Sequence, residues 1–151
     1  MGVLYTVMPP SQEVVDWLHE SGIAVSVDTS SRGPNISEIR ETLGSLEGFS
    51  VEYTDNGIGS PWQAMITSIG DPDSCGWTLM DISSCAEPDQ PQEIWFEKGH
   101  PELIVEILSR LSMLCGTFVL IPDTGCTPLV ISSGDDPKKL CARWEHLNPN
   151  G

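Results

Sequence analysis

The stretch Glu93–Ile121, EIWFEKGHPELIVEILSRLSMLCGTFVLI, decides how this chain is read, because it runs strand, helix, strand with almost no spare residues. Pro101 suits a first helical position, where its missing N–H costs nothing, and Glu102 sets a negative charge near the positive end of the helix dipole. His100 then falls at the N-cap. Leu103, Ile107, Leu111 and Leu114 recur at helical spacing with Ile104, Leu108 and Cys115 beside them, while Glu102, Glu106, Ser109, Arg110 and Ser112 fall mostly opposite. Gly116 stops the helix, and Thr117 to Ile121 is an apolar run without polar alternation, the pattern of a strand covered on both faces. That strand is expected near the centre of the sheet. With Glu93 to Lys98 as the preceding strand, the unit is a βαβ crossover if the two strands are parallel neighbours.

Working outward, Val3 to Met8 is a β-prone run stopped by Pro9-Pro10, and Ser11 caps a helix through His19 or Glu20 whose inner stripe is Val14, Trp17 and Leu18. Gly22 ends it. Ile23, Val25 and Val27 alternate with Ala24, Ser26 and Asp28 as a half-buried strand does. Asn35-Ile36-Ser37-Glu38 has the cap residue and the glutamate three positions on that satisfy free N–H groups at a helix start, and Ile36, Ile39, Leu43 and Leu46 form its seam. Phe49–Thr54, Trp62–Ile69 and Trp77–Ile82 read as strands, the last returning antiparallel to the one before it, and Ser83 to Gln92 as a surface connection. Pro128 to Ile131 pairs back on the apolar run. Asp136 and Pro137 start a last helix with Leu140, Cys141, Trp144 and Leu147 inward, and residues 148–151 are expected to fray. The sum is one domain over residues 1–151, α+β or α/β, with a mixed sheet of about seven strands and about four helices.

The chain has 151 residues, long enough to bury a core without metal or disulfide staples. The first twenty residues lack a basic start followed by a long apolar run, and no segment approaches the ~20 apolar residues that span a bilayer, so a cytoplasmic location is expected. Five cysteines, an odd number without a C-x-x-C pair, argue against a disulfide framework or a zinc ribbon. Cys115 and Cys141 fall on apolar helix faces; Cys75 and Cys126 fall in loops. With 22 acids against 7 Lys and Arg, the formal charge of -15 repels phosphate backbones and anionic membranes and favours a basic partner. Negative charge also serves solubility alone.

Asp123-Thr124-Gly125, after the apolar run, resembles the catalytic loop of aspartic proteases of the retroviral type, where two chains each give one Asp-Thr-Gly. The resemblance implies paired carboxylates activating water, with Asp123 as the catalytic candidate. It covers about a dozen residues, and the chain departs from it where Ser132-Ser133 separates Val130-Ile131 from Gly134. His19, His100 and His146 show no metal-ligand spacing, and the acids Asp71, Asp73 and Asp81 do not form a calcium loop, so no metal or cofactor is expected. Of five tryptophans, Trp62 and Trp77 lie beside Gly- and Pro-containing loops and are expected to be partly exposed.

In size, acidity and lack of a catalytic motif the chain is similar to bacterial immunity proteins. The expected function is an acidic module binding a basic protein, immunity- or inhibitor-like, with Asp71, Asp73, Trp77, Glu87 and Asp89 as contact candidates and no catalysis. The alternatives are a dimeric aspartic protease-like hydrolase using Asp123, and an accessory subunit of a larger assembly, which would show a contiguous apolar patch.

Overall fold

Local cap chemistry starts three of the four helices among the described residues. In the computed structural model, which describes residues 4–27, 30–54, 62–70, 76–83, 89–123 and 127–147 with the side chains of 145–147 excepted, α1 spans Gln12–Glu20 behind Ser11, whose hydroxyl accepts from the Val14 N–H. Helix α2, Ile36–Gly44, opens on a complete capping box: Asn35 Oδ1 accepts from Glu38 N–H at 2.8 Å, and Glu38 Oε1 accepts from Asn35 N–H at 3.0 Å. Asn35→Ala removes one half of that exchange and is expected to cost about 1 kcal/mol by denaturant unfolding. Helix α3, Pro101–Cys115, begins with proline as its first residue, and α4 is Pro137–Leu147, with Asp136 Oδ1 accepting from the Lys138 N–H.

The strands are β1 (Leu4–Met8), β2 (Phe49–Thr54), β3 (Trp62–Ser68), β4 (Trp77–Ile82), β5 (Ile94–Gly99), β6 (Phe118–Pro122) and β7 (Leu129–Ile131). They form one seven-stranded sheet in the order β2-β3-β4-β5-β1-β6-β7, and every neighbouring pair is antiparallel. The fold is therefore α+β, and the expected mixed sheet is antiparallel throughout. Strands β5 and β6 do run the same way on either side of α3, but they are not neighbours: β1 lies between them and pairs with both. The chain's first strand supplies the partner that a crossover from β5 would otherwise seek in β6.

Helices α2, α3 and α4 cover one face of the sheet, burying Trp62, Ala64, Ile66, Met80, Ile82, Ile94, Phe96 and Leu120 in the main core. Helix α1 covers the other face only at one end, where Val14 and Leu18 meet Val119, with Ile23, Val25, Ile121 and Val130 around them. Strand β6 thus has both faces covered although it is second from the edge. Its apolar run reports coverage, not centrality. The segment 23–27 is not a strand among the sheet's seven; Ile23 and Val25 pack under α1, and the Val25 carbonyl lies 2.9 Å from His19 Nε2.

Two side-chain expectations change for one reason. Helix α3 is flanked by both α2 and α4 above the sheet. Its buried arc is consequently wide and takes in Ser109 and Ser112, while Met113 and Leu114 are pushed outward to exposed positions. Small serines suit the sites where helices approach closely, and Ser112 Oγ donates back to the Ser109 carbonyl at 2.7 Å. Arg32 fastens the loop before α2 to this end of α3: it holds both Glu38 oxygens, at 2.6 and 2.8 Å, and donates to the Leu114 carbonyl. The hydrogen bond from Arg32 holds the Glu38 carboxyl below its ordinary range, and burial pushes the Cys115 thiol up to about 11, an inert thiol at neutral pH.

Candidate functional site

Asp123 follows the last residue of β6, and its backbone and side chain extend the β1–β6 ladder by one step. Its N–H donates to the Leu4 carbonyl at 2.9 Å and its Oδ1 accepts from the Leu4 N–H at 3.1 Å. The carboxylate is exposed and serves as a backbone acceptor; Thr124, Gly125 and Cys126 lie outside the described residues. Of the contact candidates, Asp71, Asp73 and Glu87 also lie outside them, as do Cys75 and Cys85. Trp77 is half-buried at the start of β4, and Asp89 is exposed before β5. These two stand at opposite ends of the β4–β5 hairpin, roughly 17 Å apart at ~3.3 Å per residue. Trp62, expected to be partly exposed, is 1% exposed under α2, where Arg40 lies over its ring and that of Tyr53. The most exposed tryptophan among the described residues is Trp17, at 43%.

Side chains alternate across a sheet, so the register gives the composition of the face that α2, α3 and α4 leave bare. It carries Glu52 on β2, Gln63 and Met65 on β3, Trp77, Leu79 and Asp81 on β4, Trp95 and Glu97 on β5, and Leu4 and Thr6 on β1. On β3 the alternation is complete: Trp62, Ala64, Ile66 and Ser68 are buried, and Gln63, Met65 and Thr67 are partly exposed. No helix among the described residues joins a core on this face of β2 to β5. Where the bare face meets α1, a cleft of about 250 Å³ continues it, lined by Trp17, Ile23, Ile121 and Pro122.

Trp77 is held on this face by His100. The His100 N–H donates to the Trp77 carbonyl at 3.0 Å, and its Nδ1 accepts the Trp77 N–H at 3.2 Å, which fixes the ring as the tautomer protonated at Nε2. The imidazole therefore anchors a strand and leaves the helix cap unmade. A β-bulge beside it, with Lys98 as the extra residue at φ 59, brings Gly99 so close to Trp77 that a Cβ there would collide with the Trp77 carbonyl oxygen.

One group on the bare face breaks its pattern. Asp81 is only 4% exposed, flanked by Gln63 on β3 and Trp95 on β5. Gln63 Nε2 donates to Asp81 Oδ1 at 2.8 Å and reaches Glu97 Oε2 at 3.5 Å, so two carboxyls converge on one amide; Asp81 Oδ2 has no hydrogen-bond donor. Burial first, and the adjoining Glu97 carboxyl second, raise the Asp81 pKa from 3.8 to about 6. Chemically, Asp81 holds a proton in mildly acidic solution.

The cations lie elsewhere. Arg32 is paired with Glu38, Arg40 lies over the Tyr53 and Trp62 rings, Arg110 holds Glu106 and the Ser45 carbonyl, and Lys138, Lys139 and Arg143 are on α4. Six of the seven Lys and Arg thus belong to the helical layer or the loop that joins it, and Lys98 at the bulge is the seventh. Sequence reasoning placed Asp81 among loop acids and passed over Gln63, Trp95 and Glu97. The local signal was the alternation Met80-Asp81-Ile82 and Phe96-Glu97, which puts each acid opposite buried neighbours; their meeting depends on cross-strand register.

Comparison with protein-family models, with curated proteins and with solved structures finds no match to this chain. Among the described residues no helix is long and apolar enough to cross a membrane, and no group of three or more His, Cys, Asp or Glu is placed to hold a metal ion.

Proposed function

We propose that this protein is an acidic binding module, immunity- or inhibitor-like, that engages a basic protein in the cytoplasm through the bare face of β2 to β5. The observation that carries the reading is the separation of charge from cover: a sheet face with Trp77, Trp95, Met65 and Leu79 among Glu52, Glu97 and Asp81, in a chain of charge -15 whose cations belong almost entirely to the opposite layer. Aromatic and methionine side chains give a partner apolar anchors, and surrounding acids speed encounter with a positively charged surface. The buried Cys115 thiol agrees with a reducing compartment.

The test is capture of the partner on the purified chain, followed by association kinetics with charge-reversed variants. Glu52→Lys with Glu97→Lys is expected to slow association about tenfold at low salt. Glu41→Lys, on the exposed side of α2, serves as the comparison. Equal effects at Glu41 and at the sheet face would remove the face from consideration. Exposed Leu4 and Met8 add an apolar component on β1 that favours a second reading, an accessory subunit of a larger assembly. Capture that persists in high salt distinguishes that reading from electrostatic recruitment.

A further inference from the structure

Resting on that reading, we propose that the Asp81–Glu97 pair is the recognition site for one arginine side chain of the basic partner, whose guanidinium enters beside Trp95 and lies between the two carboxyls. Three separate features meet there. Asp81 is more than nine-tenths buried yet its Oδ2 has no donor, an omission that leaves a strong acceptor unsatisfied in a low-dielectric setting. The neighbouring Gln63 amide is already committed to Asp81 Oδ1 at 2.8 Å and reaches Glu97 Oε2 at 3.5 Å, so it does not supply the missing bond. Trp95, directly opposite Asp81 in the β4–β5 register, offers an aromatic surface of the kind over which guanidinium groups stack. A planar fork with several N–H donors matches two converging carboxylates better than a single ammonium does.

The charged groups around the pair favour a cation, with Lys98 as the exception. On β3 the neighbour is neutral Gln63; on β2 Glu52 lies one row away; β5 gives Glu97 and, at the bulge, Lys98. Strand β1 presents only Leu4 and Thr6, and Asp123 beyond β6 is engaged with the Leu4 N–H. Lys98 is the single opposing charge, and it is exposed. Below about pH 6 the empty site holds a proton on Asp81, which occupation by guanidinium releases to solvent, so binding strengthens as the pH rises through that titration.

The experiment uses the full chain and Nα-acetyl-argininamide, a probe with one positive charge, followed by NMR at the Trp95 indole N–H and the side-chain carboxyl carbons. Saturable shifts are expected at Trp95, Asp81 and Glu97 together, with affinity rising about tenfold from pH 5 to pH 7, as one proton released at a site titrating near 6 requires. Asp81→Asn and Glu97→Gln should each abolish the saturable shifts, and Glu41→Gln, on the exposed side of α2, should leave them unchanged. Shifts spread evenly over the surface acids, or an unaltered titration in Asp81→Asn, would overturn the proposal. Because the probe is a small molecule, that failure leaves partner capture to be judged on its own kinetics; conversely, a bound probe without a captured partner would retire the protein-binding reading and keep the guanidinium site.

Discussion

Replacing Asp81 with Asn is expected to stabilise the protein at pH 8 by about 2 kcal/mol and to leave its stability at pH 4 nearly unchanged. Asp81 in the unfolded chain ionises near 3.8, but in the folded chain near 6, so between those values the folded state holds a proton that the unfolded state has lost. Stability contributed by this group is therefore fully present below about pH 4, falls as the pH rises toward 6, and stays reduced above it; the full displacement corresponds to about 3 kcal/mol. Asparagine carries no charge to desolvate, keeps an oxygen for Gln63 Nε2 and presents an N–H to Glu97, but part of the gain is lost to imperfect geometry in the new amide pair. Urea unfolding of both proteins at pH 4, 6 and 8 reads the effect directly. Glu38 works in the opposite direction: its depressed pKa gives stability above the ordinary carboxylate range that is lost on acidification, and it does so equally in both proteins. A variant that gains stability while losing arginine affinity would mark Asp81 as a residue kept for binding at a cost to folding. Equal stabilities at pH 8 would contradict the buried-carboxyl account.

Phe96→Ala is expected to cost about 4 kcal/mol, the largest loss of any single truncation considered for this fold. Phe96 is fully buried at 0% exposure on β5, the fourth of seven strands. Its ring lies between Met80 on β4 and Tyr5 on β1, its cross-strand partners, and under α3. Strands paired on both sides cannot close over the space the ring leaves, so the cavity remains and its lining loses contacts. Thermal unfolding should shift downward by about 8–16 °C, at 2–4 °C for each kcal/mol in a chain of this size. Trp95→Ala, one residue earlier on the same strand but on the bare face, should lower the midpoint far less and weaken partner binding far more. The pair of variants separates a residue that holds the fold from one that faces a ligand. A loss at Trp95 matching that at Phe96 would mean that the bare face is covered by the chain itself.

What the sequence made legible was whatever neighbouring residues decide. Asn35 with Glu38, Pro101 after His100 and Pro137 after Asp136 each announce a helix start through residues close in sequence, and α2, α3 and α4 begin where those signals stand. The hairpin of β3 and β4 was equally legible, since both strands alternate or are bounded by turn residues. What failed was anything that depends on distant chain. The apolar run of β6 marked a strand covered on both faces, yet only the position of α1 explains the second cover, and only β1 explains why β5 and β6 are separated. The same limit hid the candidate site. Gln63, Asp81, Trp95 and Glu97 come from three strands and 35 positions of sequence, and nothing local says that two acids converge on one amide. Trp62 is buried where partial exposure was expected, because the side of the sheet that receives three helices is set by the whole arrangement, not by the Gly and Pro beside a tryptophan.

The central claim is that the bare sheet face, and not the helical layer, meets the partner. The direct measurement places a photoreactive phenylalanine analogue at Met65, on that face, and in a second protein at Met113, exposed on the outer side of α3. Both are irradiated in cells of the native source. The account predicts an adduct with one basic protein from position 65 and none from position 113. Cross-linking of that partner from position 113 alone would place the interface on the helical layer and contradict it.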